Sequence, residues 1–74
     1  MNASKAFLAN LKAGDPVKVT VQSRTKDSIL FGKVKSISPK RNKIRVEVGG
    51  DILTFDQNGY FGRMSFAYYL DPLS

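Results

Sequence analysis

The spacing of hydrophobic and polar residues changes once along this chain, close to residue 16. Ahead of that point, three apolar residues between Phe7 and Leu11 fall on one face of a helix. Ser4 suits the N-cap position, and Gly14 suits the position that ends a helix. The pattern predicts a short helix over residues 3–13, which needs to dock its apolar side on the rest of the protein.

Beyond residue 16, apolar residues alternate with polar ones, which is typical of strands with one buried face. Five strands are predicted, over residues 17–22, 29–37, 43–48, 52–55 and 60–70. Within the second strand the alternation slips between Val34 and Ile37, as a β-bulge would cause. Gly32 in the same strand marks a sharp bend or a close approach of another backbone.

The connections between these strands are short. A turn containing Pro covers residues 38–42, and the Gly-Gly pair at 49–50 and the Asn-Gly pair at 58–59 indicate two further tight turns. Strands this close together leave no room for crossover helices, so the sheet is antiparallel. We therefore predict one mainly β domain over residues 1–74, a small SH3-like or Sm-like antiparallel barrel of five strands at residues 16–71 behind the short helix.

The composition argues against catalysis. The chain contains no Cys and no His, so the thiol nucleophile, the commonest general base and the usual metal ligands are missing. Of the six acidic residues, Asp15, Asp51 and Asp56 lie in predicted turns, where Asp is favoured for structural reasons. We expect a protein that is not an enzyme and that uses neither a cofactor nor a metal.

The small size of the chain favours self-association. A domain of this length buries only about 60% of the surface that its unfolded chain exposes, and disulfides are not available here. We expect a homo-oligomer, as a ring or in another arrangement. No apolar run approaches the ~18–20 residues of a membrane span, and residues 1–9 lack the apolar core of a secretory signal, so we expect a cytoplasmic protein with no membrane partner.

Charge is distributed unevenly over a chain whose net charge is +6. Residues 1–45 contain eleven Lys or Arg against two Asp, a net of +9, whereas residues 46–74 carry one Arg against four acidic residues, a net of −3. Such asymmetry favours a polyanionic partner or head-to-tail packing of copies. A charged surface that only keeps the protein in solution is the simpler alternative.

The basic residues concentrate in the second predicted strand, the turn after it and the third strand. This basic hairpin comprises Lys33, Lys35, Lys40, Arg41, Lys43 and Arg45. Pairing of the two strands would bring rows of like charge to face each other, which an anionic partner would relieve. Contacts with phosphates would be independent of base sequence and sensitive to salt. The alternative is that the lysines protect a sheet edge from unwanted strand pairing.

The last predicted strand is rich in aromatic residues. They are Tyr60, Phe61, Phe66, Tyr68 and Tyr69. In a small protein without Trp, we expect these rings to fill the barrel or an interface between subunits. Stacking of exposed rings on nucleic-acid bases is the alternative.

The glycine within residues 31–34, the turn at residues 37–42 and the predicted order of one helix and five bent strands occur together in one known family. On these features residues 4–60 resemble the Sm/LSm family, including its bacterial branch Hfq. The resemblance places Asn42 at the Asn that contacts an RNA base, and Gly59 in the second motif of the family. It implies RNA binding and rings of six or seven subunits, in which strand 4 of one subunit pairs with strand 5 of the next.

Three positions differ from the pattern of that family. Ser38 replaces an Asp, Arg41 replaces a hydrophobic residue, and Asn58 replaces an Arg. The resemblance therefore supports the barrel more strongly than it supports a site that recognises uridine.

Two further resemblances are carried by other segments. Residues 14–19, followed by residues 31–34, are similar to the opening of KOW-type and other SH3-like modules of ribosomal and transcription proteins. Residues 53–62, with the ending at residues 70–73, resemble small phage-encoded barrel proteins of unassigned function. Barrels of this kind also bind proteins, and a fold alone does not decide between these functions.

These observations favour a nucleic-acid-binding barrel, with RNA as the expected partner. Lys40, Arg41, Lys43 and Arg45 would hold phosphates, and Asn42 would contact a base. The alternative is a protein-interaction module, such as a phage-encoded factor that acts on a host protein. A subunit of a larger particle is a third candidate.

Overall fold

The computed structural model describes residues 5–73 and contains one short helix and a six-stranded antiparallel sheet. The elements are α1 (Lys5–Asn10), β1 (Pro16–Gln22), β2 (Asp27–Ile37), β3 (Ile44–Val48), β4 (Asp51–Phe55), β5 (Tyr60–Arg63) and β6 (Phe66–Asp71). The strand order is β4-β3-β2-β1-β6-β5, and the two end strands, β4 and β5, lie beside each other, so the sheet forms a nearly closed barrel. The predicted mainly β, antiparallel class is confirmed.

The barrel has six strands rather than the five predicted. The segment expected to be one strand over residues 60–70 is a hairpin, in which β5 and β6 pair from Tyr60 opposite Tyr69 to Arg63 opposite Phe66. Its turn at residues 64–65 contains no Gly, Pro or Asn, and Met64 adopts the left-handed backbone conformation with φ 54°. Because Met is unusual at such a position and Ser65 alone is a weak turn signal, the sequence pattern did not mark this turn.

The helix is shorter than the predicted span of residues 3–13. It ends at Asn10, and Gly14, the expected helix terminator, instead donates its backbone N–H to the carbonyl of Val34 at 2.7 Å. The expected N-cap, Ser4, lies outside the described residues. No helix within residues 5–73 is both long enough and apolar enough to cross a membrane.

Alternating side chains of the strands form a single core together with Leu11, which follows α1. The buried residues are Leu11, Val17, Val19, Val21, Val34, Ile44, Val46, Leu53, Phe55 and Leu70. Phe61 and Tyr68 pack against this core, with ring centroids 5.3 Å apart, so part of the aromatic segment fills the barrel as predicted. The strand face expected to be buried in β1, namely Val17, Val19 and Val21, is the buried one.

Strand β2 is the longest strand and the one that bends. Its pairing with β3 shifts register between Val34 and Ser36, where the sequence predicted a bulge. A Cβ atom added at Gly32 would lie 2.6 Å from the carbonyl oxygen of Glu47 and 2.7 Å from Cγ2 of Val48, so the predicted close approach is also confirmed. β2 can therefore pair with β1 and with β3 while it curves around the core.

Candidate nucleic-acid interface

One end of the barrel carries a groove between α1, the β2–β3 turn and the β4–β5 turn. The groove has a volume of about 610 Å³. Its lining residues are Lys5, Leu8, Ala9, Lys40, Arg41, Ile44, Gln57 and Asn58. We call it the basic groove, because its three charged residues are all cationic.

The β2–β3 turn is held in a compact shape by Ser38. The Ser38 N–H donates to the carbonyl of Lys43 at 3.0 Å, and the Ser38 hydroxyl accepts the backbone N–H of Lys43 at 3.1 Å. The Arg41 N–H closes the turn on the Ser38 carbonyl at 2.8 Å, with Arg41 in the left-handed conformation at φ 57°. The turn that brings Lys40 and Arg41 to the groove is therefore fixed by its own hydrogen bonds.

Arg41 joins this turn to the helix. Its Nη2 atom donates to the carbonyl oxygen of Leu8 at 2.8 Å and to that of Leu11 at 2.7 Å. Carbonyl groups at the end of a helix have no partner within the helix, and a cation there also interacts favourably with the helix dipole. Arg41 thus provides partners for two carbonyls at the end of α1, and a part of its guanidinium is committed to the fold.

The opposite wall of the groove is the β4–β5 turn, which is organised by Asp56. The Asp56 carboxylate accepts the backbone N–H groups of Asn58 at 2.8 Å and Tyr60 at 3.0 Å, which accounts for this acidic group within the turn. Gly59, predicted as a site residue, is buried: a Cβ atom there would lie 3.1 Å from Cδ2 of Leu8. Because Gly59 has no side chain, α1 can pack closely against the β4–β5 turn. The exposed Asn58 beside it forms the groove wall.

The chemistry of the basic groove suits a polyanion. Lys5, Lys40 and Arg41 supply positive charge, and none of the residues 5–73 that line the groove is acidic. The side-chain amides of Gln57 and Asn58 offer hydrogen-bond donors and acceptors. Among the described residues that line the groove none is aromatic, so bases bound there would be contacted by hydrogen bonds and apolar packing rather than by stacking on a ring.

The other basic residues of the predicted hairpin lie away from the groove lining, and all are exposed. Lys33 and Lys35 lie on β2, Lys43 immediately precedes β3, and Arg45 is in β3. Lys33 lies opposite Glu47, so the expected facing of like charges does not hold at that position. Arg45 pairs with Ser36 beside the bulge, whose extra residue is Lys35, so Lys35 and Arg45 are brought together as predicted.

Asn42, which the Sm/LSm resemblance marks as a base-contacting residue, is exposed on the β2–β3 turn but is not among the groove-lining residues. Its side-chain oxygen accepts the hydroxyl of Ser38 at 2.9 Å. The Asn42 side chain thus takes part in the hydrogen bonding of its own turn.

Three polar lining residues were not predicted from the sequence. Lys5 reaches the groove because α1 packs over the β4–β5 turn, and Gln57 and Asn58 reach it because that turn closes toward the helix. No local pattern marks them, since each lies far along the chain from Lys40. Within residues 5–73, no three acidic side chains cluster closely enough to share a metal ion.

No protein-family model matches this sequence, and no curated protein or solved structure gives a match either. The resemblances to Sm/LSm proteins, KOW-type modules and small phage barrels therefore stay predictions that rest on short residue patterns.

Proposed function

We propose that this protein is a non-catalytic nucleic-acid-binding barrel, and that RNA is its ligand. The observation that carries the proposal is the basic groove, where three cations and two amides surround an apolar floor without an acidic side chain. The choice of RNA over DNA is supported by the Sm/LSm resemblance of the sequence.

Phosphate groups would be held by the two lysines of the groove. Lys5 comes from α1 and Lys40 from the β2–β3 turn, and both side chains are exposed, so both can bind phosphates of one strand in the groove. Arg41 adds positive charge to the groove while it keeps its bonds to the carbonyls of Leu8 and Leu11. Lys43 and Arg45 continue this positive surface from the turn onto the outer face of β3.

Base edges would be contacted by the amides of Gln57 and Asn58. An amide can donate and accept, so these contacts would give only modest discrimination between bases. We therefore expect binding that depends strongly on salt and weakly on sequence, with most of the affinity coming from phosphates.

The test is binding of a fluorescein-labelled 20-nucleotide single-stranded RNA, followed by fluorescence anisotropy between 50 and 200 mM salt. The variant is the double substitution Lys5→Gln and Lys40→Gln. Its matched control is Lys12→Gln with Lys26→Gln, which removes the same charge from exposed lysines outside the groove. Because the groove variant lacks two cations that bind phosphates, its slope of log K against log salt falls by about 1.4, and its affinity falls about ten-fold or more.

Equal weakening by the two double variants would contradict the proposal, because only net charge would then matter. Failure of the unmodified protein to bind RNA or single-stranded DNA would also contradict it. In that case a partner captured from nuclease-treated lysate and retained at high salt would favour the protein-interaction module, since apolar interfaces depend little on ionic strength.

A further inference from the structure

The first half of β2 exposes three consecutive apolar residues. Ile29, Leu30 and Phe31 are 55%, 37% and 67% exposed, although their side chains alternate between the two faces of the sheet. A strand on the wall of a barrel normally buries one of its faces, as β1 does. A run of exposed apolar residues within a strand is unfavourable unless another surface covers it.

Strand β3 does not extend along this part of β2, so the edge of β2 is unpaired here. The β2–β3 pairing begins with Lys33 opposite Glu47, whereas the β1–β2 pairing extends to Asp27. From Asp27 to Phe31, β2 therefore has a strand on one side only among the described residues 5–73. We call this stretch the free β2 edge.

Every second residue of the free β2 edge directs its backbone N–H and C=O groups toward the unpaired side. The Val34 N–H donates to the carbonyl of Asp15, so Val34 directs its backbone groups toward the β1 side. Successive residues of a strand alternate in this direction, so Asp27, Ile29 and Phe31 direct theirs away from β1. Edges with apolar side chains and open backbone groups are templates for the pairing of another strand.

A cavity of about 360 Å³ lies beside this edge. Leu30 forms part of its wall, together with residues from the ends of β3 and β4 and from the β5–β6 hairpin. A strand added to the free β2 edge would cover Leu30 and narrow the mouth of this cavity.

We propose that the free β2 edge pairs with the same edge of a second copy of this chain, antiparallel and centred on Ile29. In this register Ile29 lies opposite Ile29 of the second copy, and Asp27 lies opposite Phe31. The residues whose backbone groups point outward then meet one another, and every pair lies within the free edge. The two sheets become one continuous sheet.

Charge supports a second copy as the occupant. Asp27, Phe31 and Lys33 share one face of β2, and antiparallel pairing places Asp27 diagonal to Lys33 of the second copy. Diagonal neighbours are ~7–8 Å apart between Cα atoms, which is within reach of Lys. The two-fold axis repeats this contact, whereas parallel pairing would bring like charges together.

The turn before β2 leaves room for this arrangement. Residues 23–26 form a turn that two hydrogen bonds close. The Ser23 N–H and the Ser23 hydroxyl both donate to the carbonyl of Lys26. The chain therefore turns back toward β1 at the start of β2, on the side away from the second copy. The basic groove lies beyond the other end of β2, on the order of 25 Å away along the strand, and stays open in the dimer.

The sharpest test is single-cysteine cross-linking, which is clean because the chain contains no Cys. In the proposed register the Ile29 Cα atoms are about 5.5 Å apart, within the range that a disulfide spans, whereas the Phe31 Cα atoms are more than ~13 Å apart. Ile29→Cys is expected to form a disulfide-linked dimer at least ten-fold faster than Phe31→Cys under mild oxidation. Equal rates for the two variants would overturn the register.

Sedimentation of the full chain without nucleic acid tests the association itself. We expect the average mass to rise from one chain toward two as the concentration increases to the millimolar range. Ile29→Lys should weaken this dimer at least ten-fold, while Leu73→Lys, which adds the same charge at another exposed aliphatic residue, should leave it unchanged. Circular dichroism establishes that both variants are folded. A monomeric mass at every concentration would overturn the proposal.

Discussion

Arg41 has two roles in this structure that a pair of substitutions can separate. It lines the basic groove, and its guanidinium also holds the end of α1 through the carbonyl oxygens of Leu8 and Leu11. Replacement by Ala removes both hydrogen bonds and leaves the helix end to water. Lys40 lies beside it in the same turn and lines the same groove, but within residues 5–73 its side chain has no hydrogen-bond partner.

The expected loss of stability follows from the two bonds. Hydrogen bonds to a charged group contribute about 1.5–3 kcal/mol when buried, and these two come from one nitrogen of a side chain that is largely exposed. We therefore expect Arg41→Ala to lower the free energy of unfolding by about 2 kcal/mol, a large part of the ~3–5 kcal/mol available to a domain of this size. The melting temperature should fall by about 8–16 °C.

The backbone of Arg41 gives a second comparison. Its φ of 57° is a left-handed conformation that costs a residue with a Cβ atom about 1 kcal/mol more than glycine. Arg41→Gly should therefore be about 1 kcal/mol more stable than Arg41→Ala, although it loses the same hydrogen bonds. Lys40→Ala, the control, should change stability by less than about 0.5 kcal/mol.

Urea unfolding followed by far-UV circular dichroism measures these differences in a protein without Trp. The reasoning fails if Lys40→Ala and Arg41→Ala are equally stable, because Arg41 would then contribute nothing to the helix end. It also fails if Arg41→Gly is less stable than Arg41→Ala, since the left-handed backbone would then be of no consequence.

Two other substitutions test the fold that positions the groove. Gly32→Ala should destabilise the protein by about 2–3 kcal/mol, because the new methyl group would meet the backbone of Glu47 at 2.6 Å. Gly50→Ala is its control, because the added methyl group has open space around it and should cost only about 1 kcal/mol for the positive φ. Equal denaturant midpoints for Gly32→Ala and Gly50→Ala would contradict the clash. Asp56→Ala should lower the free energy of unfolding by about 1–2 kcal/mol, because two backbone N–H groups of the turn lose their acceptor. Asp56→Asn keeps an acceptor and should recover most of this loss in a thermal melt. If Asp56→Asn is no more stable than Asp56→Ala, this role of Asp56 is contradicted.

Local sequence patterns were sufficient to predict most features of the sheet. Alternation predicted the buried face of β1, and the slip after Val34 predicted the bulge, because a strand exposes and buries side chains with a period of two residues. The Gly-Gly pair at residues 49–50 predicted the β3–β4 turn, where both residues have positive φ. Such features depend on neighbours along the chain, so the sequence contains them directly.

Local patterns failed where a distant residue decides the outcome. The helix was predicted to run to residue 13, but it ends at Asn10, and the distant Arg41 bonds to the carbonyls of Leu8 and Leu11 around that end. The β5–β6 hairpin was missed because its turn, at Met64 and Ser65, lacks the Gly, Pro or Asn of a strong turn signal and places Met at a positive φ. In both places contacts formed on folding outweigh the local preference of the chain.

The sequence by itself determined that this is a strongly basic, mainly β barrel without Cys or His, with Lys and Arg concentrated around the β2–β3 turn. Only the tertiary structure decided which other residues lie close to those charges. It brings Lys5 to Lys40 through the packing of α1 on the β4–β5 turn, and it sets Lys33 against Glu47 through the bulge. It also leaves the free β2 edge uncovered, because β3 ends too early to pair with it. A sequence pattern records which face of a strand is buried, whereas the meeting of distant residues depends on strand register and on how the ends of the elements pack.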